Sequence, residues 1–247
     1  MSLRAVCLCC APLIFALAAC SRTPSPPPVD PAVAAKAAAE AGATKEAKLY
    51  DQMRASQNWD VATTLGNEVL ARFPGTAAAV QVQQTLPDVR DKAARQVQAR
   101  RLARLWTYTA TAAAGGTQFA AAIASKVPPT PGARARLVLR QHPQWGQSVY
   151  LLLDNARFDC HKGCATLPVS FDGKPAQHMP ATIPPTGEPA LFIDSDKRFI
   201  AAMEKAKTVA IDVAIKGAGN KKLEFEVGGF DPASYQPKKS KSSAAKK

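Results

Sequence analysis

The stretch VAIDVAIKGAGNKKLEFEV, residues 209–227, decides the fold class of this chain. Apolar residues occupy every second position on both sides of its central glycines: Val209, Ile211, Val213 and Ile215 before them, and Leu223, Phe225 and Val227 after them. Side chains of a β-strand alternate between two faces, so each half predicts a strand with one buried face. The residues from Gly217 to Asn220 predict a hairpin turn between the two strands.

The same period of two extends backwards through residues 105–230. It recurs at 106–111, 119–123, 136–140 and 149–153, with shorter pieces near 165–171 and 190–194, which makes about eight strands with the hairpin. Phe199, Ile200 and Met203 have helical spacing and predict one helix over about 196–206. Because antiparallel strands with one wet face form sandwiches or open barrels, residues 105–231 are predicted to form a mainly antiparallel β-sandwich with one inserted helix.

Residues 45–104 follow the helical period. Helices are predicted at about 45–56, 59–72 and 76–104, and the second carries an apolar stripe that includes Trp59, Leu65 and Val69. Pro74 and Gly75 end this helix. The predicted fold class is therefore α+β, with a short N-terminal α-helical hairpin ahead of the sandwich.

The helical region resembles tetratricopeptide-type hairpins. The matching residues are Ala47, Tyr50, Trp59, Ala62, Gly66, Val69 and Leu70, followed by Arg72-Phe73-Pro74-Gly75-Thr76. The resemblance covers about one and a half repeats, roughly residues 45–85, whereas stable arrays need three or more. It implies a short helical hairpin whose apolar stripe packs either on the rest of the chain or on a partner.

An apolar run near the N-terminus ends with Leu17-Ala18-Ala19-Cys20, and this segment resembles a bacterial lipoprotein signal. The resemblance implies that residues 1–19 are a signal peptide and that Cys20 is acylated, which anchors the protein to a membrane. Ser21 follows Cys20 where an Asp would favour inner-membrane retention, so we expect an outer-membrane protein that faces the periplasm. Residues 20–44, rich in Pro and Ala, are predicted to be an extended tether.

The cysteines then leave one pair. Three of six lie in the signal and Cys20 takes lipid, so Cys160 and Cys164 remain. An even remainder in an oxidising compartment predicts a disulfide. The alternatives are a metal site and a redox or haem motif. A metal site would need further ligands near the two cysteines, and the sequence does not supply them. The three residues between the cysteines also do not match the Cys-x-x-Cys spacing of redox motifs. We predict no metal and no cofactor.

The net charge is +13. Behind a lipoprotein signal this charge does not indicate nucleic acid, and the expected acidic neighbours are an envelope protein or an acidic envelope polymer. The candidate electrostatic binding residues are Arg95, Arg100, Arg101, Arg104, Lys238, Lys239 and Lys241. The last three lie in a Lys-rich tail, residues 232–247, that is predicted to be disordered. The alternative is that these charges form a solvated surface without a partner.

The β region also resembles small envelope β-sandwich domains of the invasion-associated locus B family and accessory proteins of type VI secretion. The shared pattern comprises Phe158-x-Cys160-x-x-x-Cys164, Leu167 to Gly173, Ala190 to Ile193, Phe199, and Phe225-x-Val227-x-Gly229-Phe230. The resemblance implies a binding role and transfers no functional residue beyond the disulfide.

Three functions remain open from the sequence. The first is a lipid-anchored periplasmic interaction or envelope-assembly protein without catalytic activity. The second is an inhibitor or immunity-type lipoprotein that blocks a periplasmic hydrolase. The third is a hydrolytic enzyme, for which the sequence supplies these scattered candidates but no Gly-x-Ser-x-Gly motif: His142, His161, His178, Ser148, Ser170, Asp159 and Asp172.

Overall fold

The computed structural model describes residues 30–161, 164–185 and 187–235. The predicted signal peptide, Cys20, the start of the tether, and Lys238, Lys239 and Lys241 lie outside the described residues. No helix in the described part combines the length and apolarity needed to cross a membrane.

Three α-helices come first: α1 at Pro31–Ala55, α2 at Trp59–Arg72 and α3 at Ala77–Ala103. The turn between α2 and α3 uses the breaker residues found in the sequence, with Gly75 at a φ of +80°. Thr76 then caps α3, because its hydroxyl accepts a hydrogen bond from the Ala79 N–H at 3.2 Å. The sequence therefore located α2 and α3 correctly.

The predicted tether over 20–44 is wrong for residues 31–44, which form the first half of α1. Alanine has the highest helix propensity, and the side chain of Asp30 caps the helix by accepting from the Ala32 N–H at 2.8 Å. Packing adds to this, since Ala43 is fully buried and Gly42 lies against the Phe73 ring. An extended tether can therefore end no later than Asp30.

The three helices share one small core, so the predicted helical hairpin region is a three-helix unit. Tyr50 of α1 is buried, and its hydroxyl forms a 2.8 Å hydrogen bond with the Thr85 hydroxyl of α3. At Gly66 of α2 the missing side chain makes room for Leu86 and Tyr50. Trp59 and Leu65 pack against this core, so the predicted apolar stripe is used within the chain.

Nine strands and two short helices follow: β1 Trp106–Ala113, β2 Gly116–Ala124, β3 Arg134–His142, β4 Gly146–Asp154, β5 Thr166–Phe171, β6 Gln177–Thr182, β7 Ala190–Ile193, α4 Asp196–Met203, β8 Val209–Ile215, β9 Gly219–Phe225 and α5 Pro232–Tyr235. The fold class is α+β, as predicted. The strand absent from the prediction is β6, whose short alternation of Met179 and Ala181 is interrupted by Pro180. The predicted disordered tail also starts too early, because Tyr235 of α5 is buried.

All strand pairs are antiparallel, in the order β1-β2-β3-β4-β7-β6-β5-β8-β9. Strand β6 changes partner along its length: Gln177 to Pro180 pair with β5, whereas Ala181 and Thr182 pair with β7. The change falls at Pro180, which has no backbone N–H to donate. Through this shared strand the sheet forms two halves whose inward residues meet in a single sandwich-like core.

The core is closed by contacts between distant parts of the chain. The Lys126 N–H donates to the Glu224 carbonyl at 2.7 Å, and the indole N–H of Trp106 reaches the Val227 carbonyl at 3.4 Å. Helix α4 contributes Phe199, which is fully buried. These contacts join the first strands to the last and cover the core at one corner.

The helical unit meets the β unit at the end of α3. The Arg101 guanidinium binds the Glu226 carboxylate through two hydrogen bonds of 2.8 and 3.1 Å. Next to this pair, Gly229 lies directly against the backbone of Leu102. The two units therefore touch through a bidentate ion pair and a close backbone contact.

Candidate functional site

The cysteine pair lies in the connection between β4 and β5. Cys160 and Cys164 form a disulfide with a Cα–Cα distance of 5.1 Å, which supports the pairing predicted from the sequence. The residues before it are held to β8, because Phe158 forms a bridge with Ile215 and the Asp159 N–H donates to the Ala214 carbonyl at 2.8 Å. The disulfide thus lies in a loop between β4 and β5 whose preceding residues are held to β8.

The four candidate arginines, three in α3 and Arg104 directly after it, are exposed but differ in what they bind. Arg100 forms an ion pair with Asp60 of α2 at 2.6 Å, and Arg101 pairs with Glu226. In the described part of the chain, no ion pair includes Arg95 or Arg104. Two of these four arginines therefore connect elements of the molecule itself.

A group of side chains that the sequence analysis did not single out lies on the outer face of the sheet. Leu137 and Leu139 of β3 point into the core, so the alternation of the strand places Arg140 on the opposite face. The registers carry this face to Tyr150 of β4 and on to Phe192 of β7. We call Arg140, Trp145, Tyr150 and Phe192 the arginine–aromatic cluster.

The geometry of this cluster centres on the guanidinium. The Cζ atom of Arg140 lies 5.6 Å from the ring centroid of Trp145, 5.5 Å from that of Tyr150 and 5.9 Å from that of Phe192. The Tyr150 and Phe192 rings are themselves 4.9 Å apart. Each distance is within the range of a cation–π interaction, which orients the arginine without neutralising it.

The charge of Arg140 has no counter-ion within the described residues. Its Nε–H donates to the Ser148 hydroxyl at 3.1 Å, and none of the ion pairs there includes it. By contrast, Arg136 on the same face is paired with Asp154 at 2.9 Å. Burial raises the pKa of the Tyr150 hydroxyl, and the charge of Arg140 acts in the opposite direction. The Arg140 guanidinium is therefore held in place by aromatic rings, and its charge is not neutralised by a carboxylate of the described residues.

The turn that carries Trp145 is fixed by His142. The two rings stack with centroids 3.9 Å apart and planes 13° apart. His142 is buried, and its Nδ1 accepts from the N–H groups of Gln144 and Trp145 at 3.2 and 3.3 Å. Trp145 nevertheless exposes 70% of its surface. The chain thus orders a large exposed aromatic ring on a histidine platform.

A cleft of about 410 Å³ adjoins this turn, lined by Gly116, Phe119, Gln141, His142 and Pro143 among others. It lies between the tips of the β1–β2 and β3–β4 hairpins, and His142 is shared between the cleft and the platform under Trp145. The cluster therefore has a concave neighbour.

The candidates for hydrolytic chemistry have separate structural contacts. The Ser148 hydroxyl accepts from Arg140, the Asp172 carboxylate accepts from the Lys207 and Thr208 N–H groups, and the Asp159 carboxylate accepts from the His161 N–H. In the described part of the chain, no group of three or more His, Cys, Asp and Glu side chains could hold a metal ion.

Comparison with protein-family models finds no match, and no curated protein matches the chain. Among solved structures, the chain is similar to invasion associated protein B from Bartonella henselae. The two are 16% identical with a TM-score of 0.35, over 51% of this chain and 86% of that one.

Proposed function

We propose that this protein is a lipid-anchored, periplasm-facing protein of the outer membrane that binds an acidic envelope partner and has no catalytic activity. The observation that carries the binding role is the arginine–aromatic cluster. Trp, Tyr and Arg are the residues that most often dominate protein–protein binding energy, and here all three meet on the outer face of the sheet, where Trp145 is the most exposed. Arg140 is without a counter-ion in the described part of the chain, so the partner should supply a carboxylate.

The anchor rests on the sequence ending Leu-Ala-Ala-Cys20. Acylation at Cys20 would hold the folded units at a membrane surface, where a partner in the same envelope is reached without leaving the membrane. Mass spectrometry of the processed protein tests this part of the proposal, because an unmodified N-terminus would refute the anchor. Arg95, Arg104 and the lysines of the tail remain a second, electrostatic contribution to the same attachment.

The test of the binding role compares two arginines on one strand. Arg140 lies in the cluster, whereas Arg134 is exposed on β3 outside it and has the same charge. A partner captured from envelope extract by the wild-type protein should bind Arg140→Gln and Trp145→Ala at least about tenfold more weakly, as expected for hot-spot residues. Arg134→Gln should bind as the wild type does. Equal affinities for the wild type and the three variants would show that the cluster does not contribute to binding.

The same captured partner separates the alternative function. If it is a hydrolase and its activity falls when the protein binds, the protein is an inhibitor of the immunity type. If it is a structural or assembly component of the envelope, the interaction role holds.

A further inference from the structure

Strand β1 is an open edge of the sheet. It pairs with β2 on one side, and in the described part of the chain no other backbone hydrogen bond reaches residues 107–113. Thr107, Thr109, Ala110, Thr111 and Ala112 are all exposed. An edge of this kind presents a row of N–H and C=O groups that can pair with another strand.

The sequence leaves this edge without the usual protection. Proteins discourage pairing at a sheet edge with charged residues, prolines or bulges. Residues 105–125 contain no charged residue and no proline. This is the longest stretch without a charge after Cys20. The opposite edge, β9, shows the contrast, because it carries Lys221, Lys222 and Glu224. The two edges of one sheet are therefore built differently.

We propose that β1 pairs antiparallel with β1 of a second copy of this chain, about a two-fold axis near Ala110. With a net charge of +13, two copies repel each other over most of their surface. The uncharged edge is a place where they can approach without bringing cations together. A symmetric pair of this kind is isologous, so each copy uses the same patch.

The position of Arg104 selects the antiparallel orientation. This arginine lies two residues before β1 and forms no ion pair in the described part of the chain, whereas Arg100 and Arg101 are paired with carboxylates. In a parallel pair the two copies of Arg104 would be neighbours. In an antiparallel pair they lie at opposite ends of an eight-residue strand, a separation of about 25 Å, which is several screening lengths at physiological ionic strength.

The first experiment is cross-linking of the full chain in the membranes of cells that produce it. Near the two-fold axis, residues directly opposite each other have Cβ atoms about 5 Å apart, so Ala110→Cys should give a cross-linked dimer with a bis-maleimide. Asn220→Cys, which is exposed on the β9 edge, is the matched control and should stay monomeric. Dimer yields no higher for Ala110→Cys than for the control would overturn the proposal. So would cross-linking of Ala110→Cys to a different protein.

The second experiment uses charge to confirm the pairing. In the proposed register Thr109 of one copy lies near Thr111 of the other, so the double variant Thr109→Lys/Thr111→Lys in the Ala110→Cys background should lose the dimer. The corresponding Glu variant should lose it as well. Producing the two together should restore the cross-link as a mixed dimer, because opposite charges then face each other. Failure to restore it, with both variants retaining the wild-type melting temperature, would contradict edge pairing.

Discussion

Gly229 lies against the backbone of Leu102, and a methyl group at this position would overlap the Leu102 carbonyl. Because backbone cannot rotate away as a side chain can, Gly229→Ala has to displace the end of α3. We expect a loss of about 1–3 kcal/mol in the free energy of unfolding, measured by urea denaturation. Gly228→Ala is the control, since its methyl group would lie 3.5 Å from its nearest neighbour, Lys207 Cα. Equal destabilisation by the two variants would show that this contact is not tight.

Asp172 couples stability to pH through the backbone. Its Oδ1 accepts from the N–H groups of Thr208 at 2.9 Å and Lys207 at 2.8 Å, and these hydrogen bonds lower the pKa of the carboxyl group. A lowered pKa stabilises the folded state above the unfolded value of about 3.9, and this stabilisation is lost as the pH falls through the folded pKa.

The variant Asp172→Asn isolates this effect. Asparagine keeps an acceptor oxygen and tolerates the φ of +51° at this position, but it does not titrate. The difference in unfolding free energy between the wild type and the variant should therefore shrink as the pH is lowered from about 7 to about 3. A difference that stays constant over this range would contradict the assignment.

At the scale of single elements, the disulfide between Cys160 and Cys164 closes a short loop ahead of β5. In the chain-entropy model such a loop contributes on the order of 2 kcal/mol. Reduction should lower the melting temperature by about 4–8 °C without unfolding the β unit, as measured by calorimetry. The double variant Cys160→Ser/Cys164→Ser should have the melting temperature of the reduced wild-type protein, and added reductant should not change it. Two thiols that react with an alkylating agent in the isolated protein would refute the bond.

The sequence predicted the elements whose signal is local. Alternation in residues 209–227 identified β8 and β9, and the Phe73-Pro74-Gly75-Thr76 turn identified the boundary between α2 and α3. It failed where the signal is weak or depends on packing. Strand β6 is short and contains Pro180, and the first half of α1 has few large apolar residues to show its buried side.

The arginine–aromatic cluster could not be predicted from the sequence for a different reason. Its members come from β3, the following turn, β4 and β7, and they meet because Val138 pairs with Tyr150 and Tyr150 with Phe192. Register between strands that are distant in sequence is set by the whole sheet and the core beneath it. The disulfide was predictable because its partners are close together and the count of cysteines leaves one pair.

Across the whole molecule, the positive charge divides into arginines used internally and charges that remain available. Arg100 and Arg101 form ion pairs, whereas Arg95 and Arg104 form none in the described part of the chain. We therefore expect attachment of a Cys20-less protein to envelope fragments to weaken with added salt, because the attraction is screened beyond about 8 Å at physiological ionic strength.

Variants separate the contributions to this attachment. Truncation after Tyr235 and the double variant Arg95→Gln/Arg104→Gln should each weaken it, while Arg100→Gln should have a smaller effect because Asp60 already neutralises this charge. Stability should survive the truncation, since Tyr235 remains to close the core. Attachment that is changed neither by added salt nor by these variants would show that the charges only form a solvated surface.

The hydrogen bond from Trp106 to the Val227 carbonyl joins the first and last parts of the β unit, so this contact cannot form before the end of β9 is in place. The three-helix unit is made of neighbours in sequence, which form quickly, whereas the sheet depends on contacts of high sequence separation, which form slowly. A chain that emerges from its N-terminus therefore completes the helices while the β1–β2 hairpin waits for β9. During that interval the hairpin has neither its closing partners nor any charge to keep it from other chains. The β1–β2 hairpin is consequently the segment most prone to aggregate during folding, and the one that a chaperone would protect.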